Sequence, residues 1–238
     1  MDRDEVHDED VVYHLRDKNL EIVEKWAEYF ALYEVIKMTQ GDIFQGAPAA
    51  DAIVSPGNSF GFMNGAIDSY YKQHFGAQIQ TNLQKTIREK YSGELLLGQA
   101  AIVPIGEYMN ASKDWSQINN GTAIKYLIYA PTMRTPVTVA NTPNAYLAFR
   151  AVILAISAHN RMPNVDKIKA VLVPGLGTAA GKMPTDRCAW QMLQAYETHV
   201  LGKHATRLTP KSLGDVITDS YQMSQFGGSQ AEASNIFE

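Results

Sequence analysis

Two stretches of the chain gather residue types that could do chemistry. The first, DAIVSPGNSFGFMNGAID (residues 51–68), leaves an apolar run through Ser55, Gly57, Asn58, Phe60, Asn64 and Gly65. It ends at Asp68, the one acid between Gly57 and Gly76. The second, PGLGTAAGKMP (residues 174–184), runs through Pro174, Gly175, Leu176, Gly177, Thr178, Ala179, Ala180 and Gly181. Glycine lets backbone amides approach a ligand with no Cβ in the way. Amides near a helix start carry partial positive charge and suit phosphate or pyrophosphate. Both stretches follow apolar segments and precede helical ones, so a phosphorylated, nucleotide-like ligand is the first expectation. Within it, Asp68 is a candidate acid or base. Asn58 offers a donor and an acceptor without charge.

Known phosphate loops can be tested against the second stretch. A Walker A loop requires glycine five residues before Gly-Lys and Ser or Thr after it. Leu176 and Met183 stand in those places. Gly175, Gly177 and Ala180 do fit the G-x-G-x-x-G/A dinucleotide fingerprint, with Glu197 twenty residues past Gly177. That motif should open its helix directly and begin a longer βαβ series. Here the helix waits until about Pro184. The companion motifs of a protein-kinase glycine loop are missing.

The elements that must position these loops are legible in outline. Strands are expected at 11–15, 33–38, 51–54, 99–105, 125–130 and 168–173. Asn19 can cap a helix carrying Ile22, Val23, Trp26 and Phe30 at helical spacing. Further helices are expected over 67–90 with a break at Gly76, from Thr142-Pro143 to about Ser157, and over 185–200, with a polar excursion over 106–121. Strands alternating with helices predict an α/β fold of layers. The runs Ala52-Ile-Val and Ala170-Val-Leu-Val are apolar throughout, as central strands covered on both faces are.

The 238 residues fit one large domain with an ordinary globular composition. No apolar run approaches the ~20 residues of a membrane span. One cysteine, Cys188, excludes an internal disulfide framework and a Cys-based zinc site, and points to a reducing intracellular setting, cytoplasmic or nuclear. Its neighbours Ala189 and Trp190 suggest packing rather than nucleophilic chemistry. Residues 1–10 hold six acids and one arginine, so the remainder of this −4 chain sums to +1. A body that close to neutral gives no footprint for nucleic acid. The acidic head reads as a flexible terminus, 11–204 as the folded domain, and 205–238 as an extension that is flexible from about 218.

Beyond these residues, the chain resembles the macro domain superfamily, whose members bind ADP-ribose. GDIF at 41–44 is similar to the Gly-Asp-Ile that opens that family's adenine site. DAIVSPGNS is similar to its strand and asparagine, DAIVNAAN. VLVPGLGTAAGKMP is similar to its diphosphate loop, commonly PAISTGIYGYP, with equal length between the prolines. Order and spacing agree over about 150 residues, and the wording is closer still to a divergent, yeast-type branch assigned as ADP-ribose 1″-phosphate phosphatases. The resemblance implies a three-layer α/β/α fold with a mixed central sheet. It also implies ADP-ribose, a derivative, or an ADP-ribosylated protein as partner. Neither membrane nor nucleic acid is called for, and no cofactor or metal is required.

Residue by residue, the resemblance places Asp42 and Ile43 at adenine and Asn58 at the distal ribose. Asp42 could instead cap a turn, and Asn58 could instead close an Asx-turn. Phe60 and Phe62 could each pack on the ligand or plug the core. Asp68, ten residues after Asn58, matches an aspartate assigned to the 1″-phosphate in some macro phosphatases. Two departures matter. Asn64 stands where the ester-hydrolase branch has the aspartate that orients water, and an amide cannot take that water's proton. Ala179 stands where a glycine is usual, so that residue must keep an ordinary φ or the loop must change shape. The aromatic that often covers the distal ribose aligns with Gly181, which leaves room for a terminal phosphate. Lys182 could neutralise it or could be a solvated surface lysine. The resulting expectation is a hydrolase of ADP-ribose 1″-phosphate. The alternatives are a non-catalytic ADP-ribose reader or sequestering module, and behind them a mono-ADP-ribosyl hydrolase or an NAD-binding Rossmann protein.

Overall fold

The computed structural model describes residues 8–106, 114–116 and 118–227. Six short strands, β1 (Val12–Asp17), β2 (Ile36–Gln40), β3 (Ala52–Ser55), β4 (Ala101–Pro104), β5 (Tyr126–Tyr129) and β6 (Ala170–Val173), form one sheet in the order β2-β1-β6-β3-β5-β4. Every pairing is parallel except the antiparallel β4–β5 edge, so the sheet is mixed. Parallel strands need crossovers, and helices supply them on both faces. The described helices are α1 (Leu20–Tyr29), α2 (Ala66–Phe75), α3 (Gln78–Tyr91), α4 (Asn144–Arg161), α5 (Thr185–His199), the short α6 (Ala205–Leu208) and α7 (Leu213–Gln225).

Why β3 and β6 are apolar throughout is visible in the packing. Ala52 and Val54 join Val171 and Val173 in the core under α1, α4 and α5. Ile53 and Leu172 point to the opposite core, with Phe75 of α2 and Ile79, Leu83 and Ile87 of α3. Successive side chains of a strand face opposite sides, so a strand covered twice alternates nowhere. The three-layer α/β/α arrangement follows. Gly76 (φ +92) separates α2 from α3 at the expected break, in the left-handed region that favours glycine. Asn19 caps α1 by accepting the amide of Glu21 at 3.1 Å. Cys188 is fully buried on α5, and burial pushes its thiol up to about 12, which keeps it protonated and inert. No helix among the described residues is long and apolar enough to cross a membrane.

Regular structure reaches toward both ends of the chain. Residues 8–10 form a 3-10 turn, and Asp8 accepts hydrogen bonds from Ser157 (2.8 Å) and Arg161 (3.1 Å); residues 1–7 lie outside the described residues. At the other end, the segment expected to loosen near 218 is helical to Gln225, with 228–238 outside the described residues. A Ser212–Asp215 capping box starts this α7. Its C-terminus docks on α5: Phe226 stacks on Trp190 at 4.2 Å, Met223 is buried, and Gln191 Nε2 donates to the Met223 carbonyl at 2.7 Å. Arg187, 1% exposed, donates from Nε to the Phe226 carbonyl (2.7 Å) and from Nη1 to the Ala140 carbonyl (2.5 Å) and Asn141 Oδ1 (2.7 Å). For residues 223–226, partners far away in the chain supply burial that their composition does not announce.

Candidate functional site

Five parallel strands end on the same side of the sheet, and the segments leaving them converge. Residues 41–43 leave β2, 16–19 end and leave β1, 174–181 leave β6, 56–68 leave β3 and 132–136 leave β5. Together they wall one cavity of about 900 Å³. Ligands of open α/β sheets sit at this end, and the volume lies within the usual range for small-molecule sites.

The first wall begins with a tight packing constraint. A Cβ on Gly57 would stand 1.9 Å from the Tyr129 hydroxyl oxygen. That buried hydroxyl accepts the Asn58 amide (2.8 Å) and donates to the Asn58 carbonyl (2.9 Å). Gly57 is therefore demanded by β5 beneath it. The Asn58 side chain also turns into its own loop. Its Nδ2 donates to the Phe62 carbonyl (2.8 Å), and its Oδ1 accepts the Phe60 amide (3.1 Å). The Asx-turn role is what the geometry contains, and a ribose contact would have to compete with it. Phe60 is half-buried on the wall and Phe62 is 52% exposed at it, while the core plug of this loop is Met63. Asn64 lines the cavity and accepts from Lys72 Nζ at 3.0 Å.

Gly65 is the N-cap of α2, which places Asp68 in the first turn. A helix start favours a carboxylate there. Asp68 is only 5% exposed yet lies on the cavity wall. Burial pushes its pKa from 3.8 up to about 6, against an opposing hydrogen bond from the Ser55 hydroxyl to Oδ1 at 2.5 Å. Ser55 itself is fully buried behind Asp68 and is not part of the wall, so its link to a ligand runs through that carboxylate.

The second wall, 174–181, is held from three sides. Gly175 donates its amide to Asp17 Oδ2 at 3.1 Å. Gly177 has φ +75, and its carbonyl accepts the Met183 amide at 3.0 Å. A Cβ on Gly181 would come within 2.6 Å of both the Gly177 carbonyl oxygen and Val139. Pro174, Gly175, Gly177, Thr178, Ala179, Ala180 and Gly181 line the cavity, whereas the side chain of Leu176 is in the core and the residue is not on the wall. Ala179 keeps a negative φ, and the left-handed turn falls on Lys182 instead (φ +53). Lys182 is exposed and does not line the cavity. α5 starts at Thr185, so the Gly175–Gly177–Ala180 spacing does not open it as a dinucleotide fingerprint would.

Asp42 and Ile43 also line the cavity. Asp42 Oδ1 accepts the Phe44 and Gln45 amides (2.9 and 3.0 Å) and the Tyr70 hydroxyl (3.0 Å), and Oδ2 pairs with Lys18 at 2.8 Å. Burial opposes its charge, but Lys18, those amides and Tyr70 overcome it and hold the carboxyl well below the usual range. Asp42 thus caps its turn and also keeps a full negative charge at the wall. Arg16 organises the same turn, donating to the Asp42 and Gln45 carbonyls (2.6 and 3.0 Å) and to Thr39 Oγ1 (2.8 Å).

Sequence reasoning missed two walls, 16–19 after β1 and 132–136 after β5. Neither contains glycine. The polar runs Arg16-Asp-Lys-Asn and Thr132-Met-Arg-Thr-Pro, each directly behind an apolar strand, were the available signal. Among the described residues no group of three or more His, Cys, Asp or Glu is placed to hold a metal ion.

A mostly parallel α/β/α sheet with a loop-walled cleft over its carboxyl edge defines a ligand-binding domain of the open-sheet class. Residues 24–213 match the family model of the macro-like domain, and the chain belongs to that family. A relative from Aquifex aeolicus, an uncharacterized protein, is 25% identical over 159 residues, covering 67% of this chain and 79% of that protein. The fold is similar to that of the macrodomain of Mycobacterium tuberculosis DarG, at 21% identity and TM-score 0.49 over 68% of this chain and 90% of that one. It is similar also to a variant Oceanobacillus iheyensis macrodomain solved with ADPR, at 16% identity and TM-score 0.47 over 65% and 72% of the two chains.

Proposed function

We propose that the cleft binds ADP-ribose or a derivative and that the protein hydrolyses ADP-ribose 1″-phosphate to ADP-ribose and inorganic phosphate. The observation that carries this reading is Asp68, a buried carboxyl with a pKa of about 6 on the wall of a cavity framed by two glycine-containing loops. A group that titrates near neutral pH can both accept and return a proton. In this reading adenine lies at Asp42 and Ile43, the diphosphate follows the amides of 174–181, and the distal ribose reaches the loop 57–65. An ADP-ribosylated protein would present the same group to the same cleft.

The reaction balances with the chain's own residues. A water oxygen bonds to phosphorus as the bond from phosphorus to the C1″ oxygen breaks. The electron pair stays on that oxygen. Asp68 takes one proton from the water and delivers it to the departing oxygen, so it ends as it began. Gly65 puts no side chain against this carboxylate; a Cβ there would stand in contact with Asp68 Oδ2 at 3.7 Å.

A second reading, a reader without turnover, is favoured by Asn64 in place of an aspartate and by the self-satisfied amide of Asn58. Calorimetric titration with ADP-ribose, followed by incubation with ADP-ribose 1″-phosphate and assay of released phosphate, separates the two. Binding with release is the expected result. Binding without release leaves the reader, and turnover of an ADP-ribosyl ester alone would indicate a mono-ADP-ribosyl hydrolase. Failure to bind any ADP-ribose compound, with tight binding of NAD, would return the chain to dinucleotide chemistry.

A further inference from the structure

Lys182 points out of the cleft, so a different cation must meet a terminal phosphate if one is bound. Among the described residues three cationic side chains line the cavity: Arg16, Lys18 and Arg134. Arg16 is buried and gives three hydrogen bonds to the turn 39–45. Lys18 is already paired with Asp42 at 2.8 Å. Lys72, near that loop, holds Asn64 and Gln80 and is not on the wall. Arg134 is the remaining one, and its backbone is fastened to that loop. Its carbonyl accepts the Ser59 amide at 3.1 Å, and the preceding Met133 bridges Asn58.

The Arg134 side chain is poised rather than buried. Its guanidinium lies 5.2 Å from the centroid of the Phe60 ring. Glu94 grips it with two oxygens, Nε to Oε1 at 2.6 Å and Nη2 to Oε2 at 3.2 Å. The arginine side chain remains 63% exposed. One carboxylate cannot use all five donors of a guanidinium fork, and phosphate matches that fork as well as carboxylate does. A bidentate pair is among the stronger surface ion pairs, but a dianionic phosphate brings more charge to the same fork than a carboxylate does, so it can compete with Glu94 for it.

We infer that Arg134 selects for a phosphate monoester at the distal end of the ligand, with Phe60 as its platform and Glu94 as the group it leaves when that phosphate arrives. This rests on the ADP-ribose reading of the cleft and adds the residue that tells the phosphorylated ligand from the plain one.

The test compares ADP-ribose with ADP-ribose 1″-phosphate on wild type, Arg134→Ala, Arg134→Lys and Glu94→Gln. Affinity is read as Kd, or as KM and kcat where the ligand is turned over. Arg134→Ala should weaken the 1″-phosphate ligand by about 10- to 100-fold, the scale of a lost charged hydrogen-bond pair, and ADP-ribose by less than about threefold. Arg134→Lys should recover part of the loss, because charge is kept while the fork is not. Glu94→Gln should tighten the 1″-phosphate ligand. An Arg134→Ala protein that melts like wild type and binds both ligands as wild type does, or loses both equally, overturns the assignment while leaving the cleft's ADP-ribose reading intact. A wild type that binds neither compound overturns both.

Discussion

Replacing Asp68 by Asn is expected to abolish release of phosphate from ADP-ribose 1″-phosphate, a loss of about 10²–10⁴-fold for a general acid-base group. ADP-ribose binding should survive, because the amide keeps the shape and can still accept from Ser55 Oγ. The same substitution should stabilise the protein at neutral pH. The folded pKa of Asp68, about 6, lies above its ordinary 3.8. The stability linked to this group is therefore fully present below pH 3.8 and is lost as pH rises through about 6. Above that, ionised Asp68 costs the fold on the order of 3 kcal/mol, from about 1.36 kcal/mol per unit. Asn carries no such cost. Thermal melts of wild type and Asp68→Asn should then diverge upward from pH 5 to 8 in favour of the variant and converge near pH 4. Equal melts throughout would mean that burial does not hold the carboxyl in its neutral form, and phosphate release retained in full would remove Asp68 from the mechanism.

Gly57→Ala carries the second large effect, this time on the fold and site together. Its new methyl would fall 1.9 Å from the Tyr129 oxygen and 2.4 Å from Cζ, so one of them must move. Tyr129 is buried in the sheet and ties both backbone groups of Asn58. Overpacking together with a broken buried hydrogen bond predicts a loss of about 2–5 kcal/mol. Urea denaturation measures it, and ADP-ribose titration should weaken in parallel because the loop carrying Phe60 and Asn64 shifts. Gly106→Ala, with nothing among the described residues within 4 Å of its new Cβ, is the control and should change neither. A Gly57→Ala protein as stable as wild type would show that the loop has slack that the packing does not reveal.

The layers and the two glycine loops were legible in the sequence for a local reason. β3 and β6 announce themselves by unbroken apolar residues, and glycine marks close backbone approach wherever it falls. The site was legible only where such local signals existed. Arg16, Lys18 and Arg134 gave only the weak signal of a polar run behind an apolar strand, because what brings them to one cleft is the strand order β2-β1-β6-β3-β5-β4, set by pairings as distant as Val12 with Ala170 and Ala52 with Val171. Lys182 read as open between a phosphate partner and a solvated surface lysine, and the backbone decides for the second. Ala179 avoids the left-handed region, the chain makes that turn three residues later, and the lysine follows it out of the cleft. Asn58 read as ambiguous between ligand and turn, and its bonds to Phe60 and Phe62 belong to the turn. α7 was hidden by its Ser- and Gln-rich composition although the Ser212-x-x-Asp215 cap stood in plain view.

The family match stops at residue 213, where α7 begins, and this bears on how the protein can be shortened. Arg187 shares its donors between the last turn of the chain described and residues 140–141, next to Val139, whose amide holds the Gly181 carbonyl at 2.7 Å. Trimming to the family boundary would deprive a guanidinium sealed inside the protein of one acceptor and uncover Trp190. Such a shortened protein should melt several degrees lower, and its weakness should surface in the loop 174–181, which the cut does not touch.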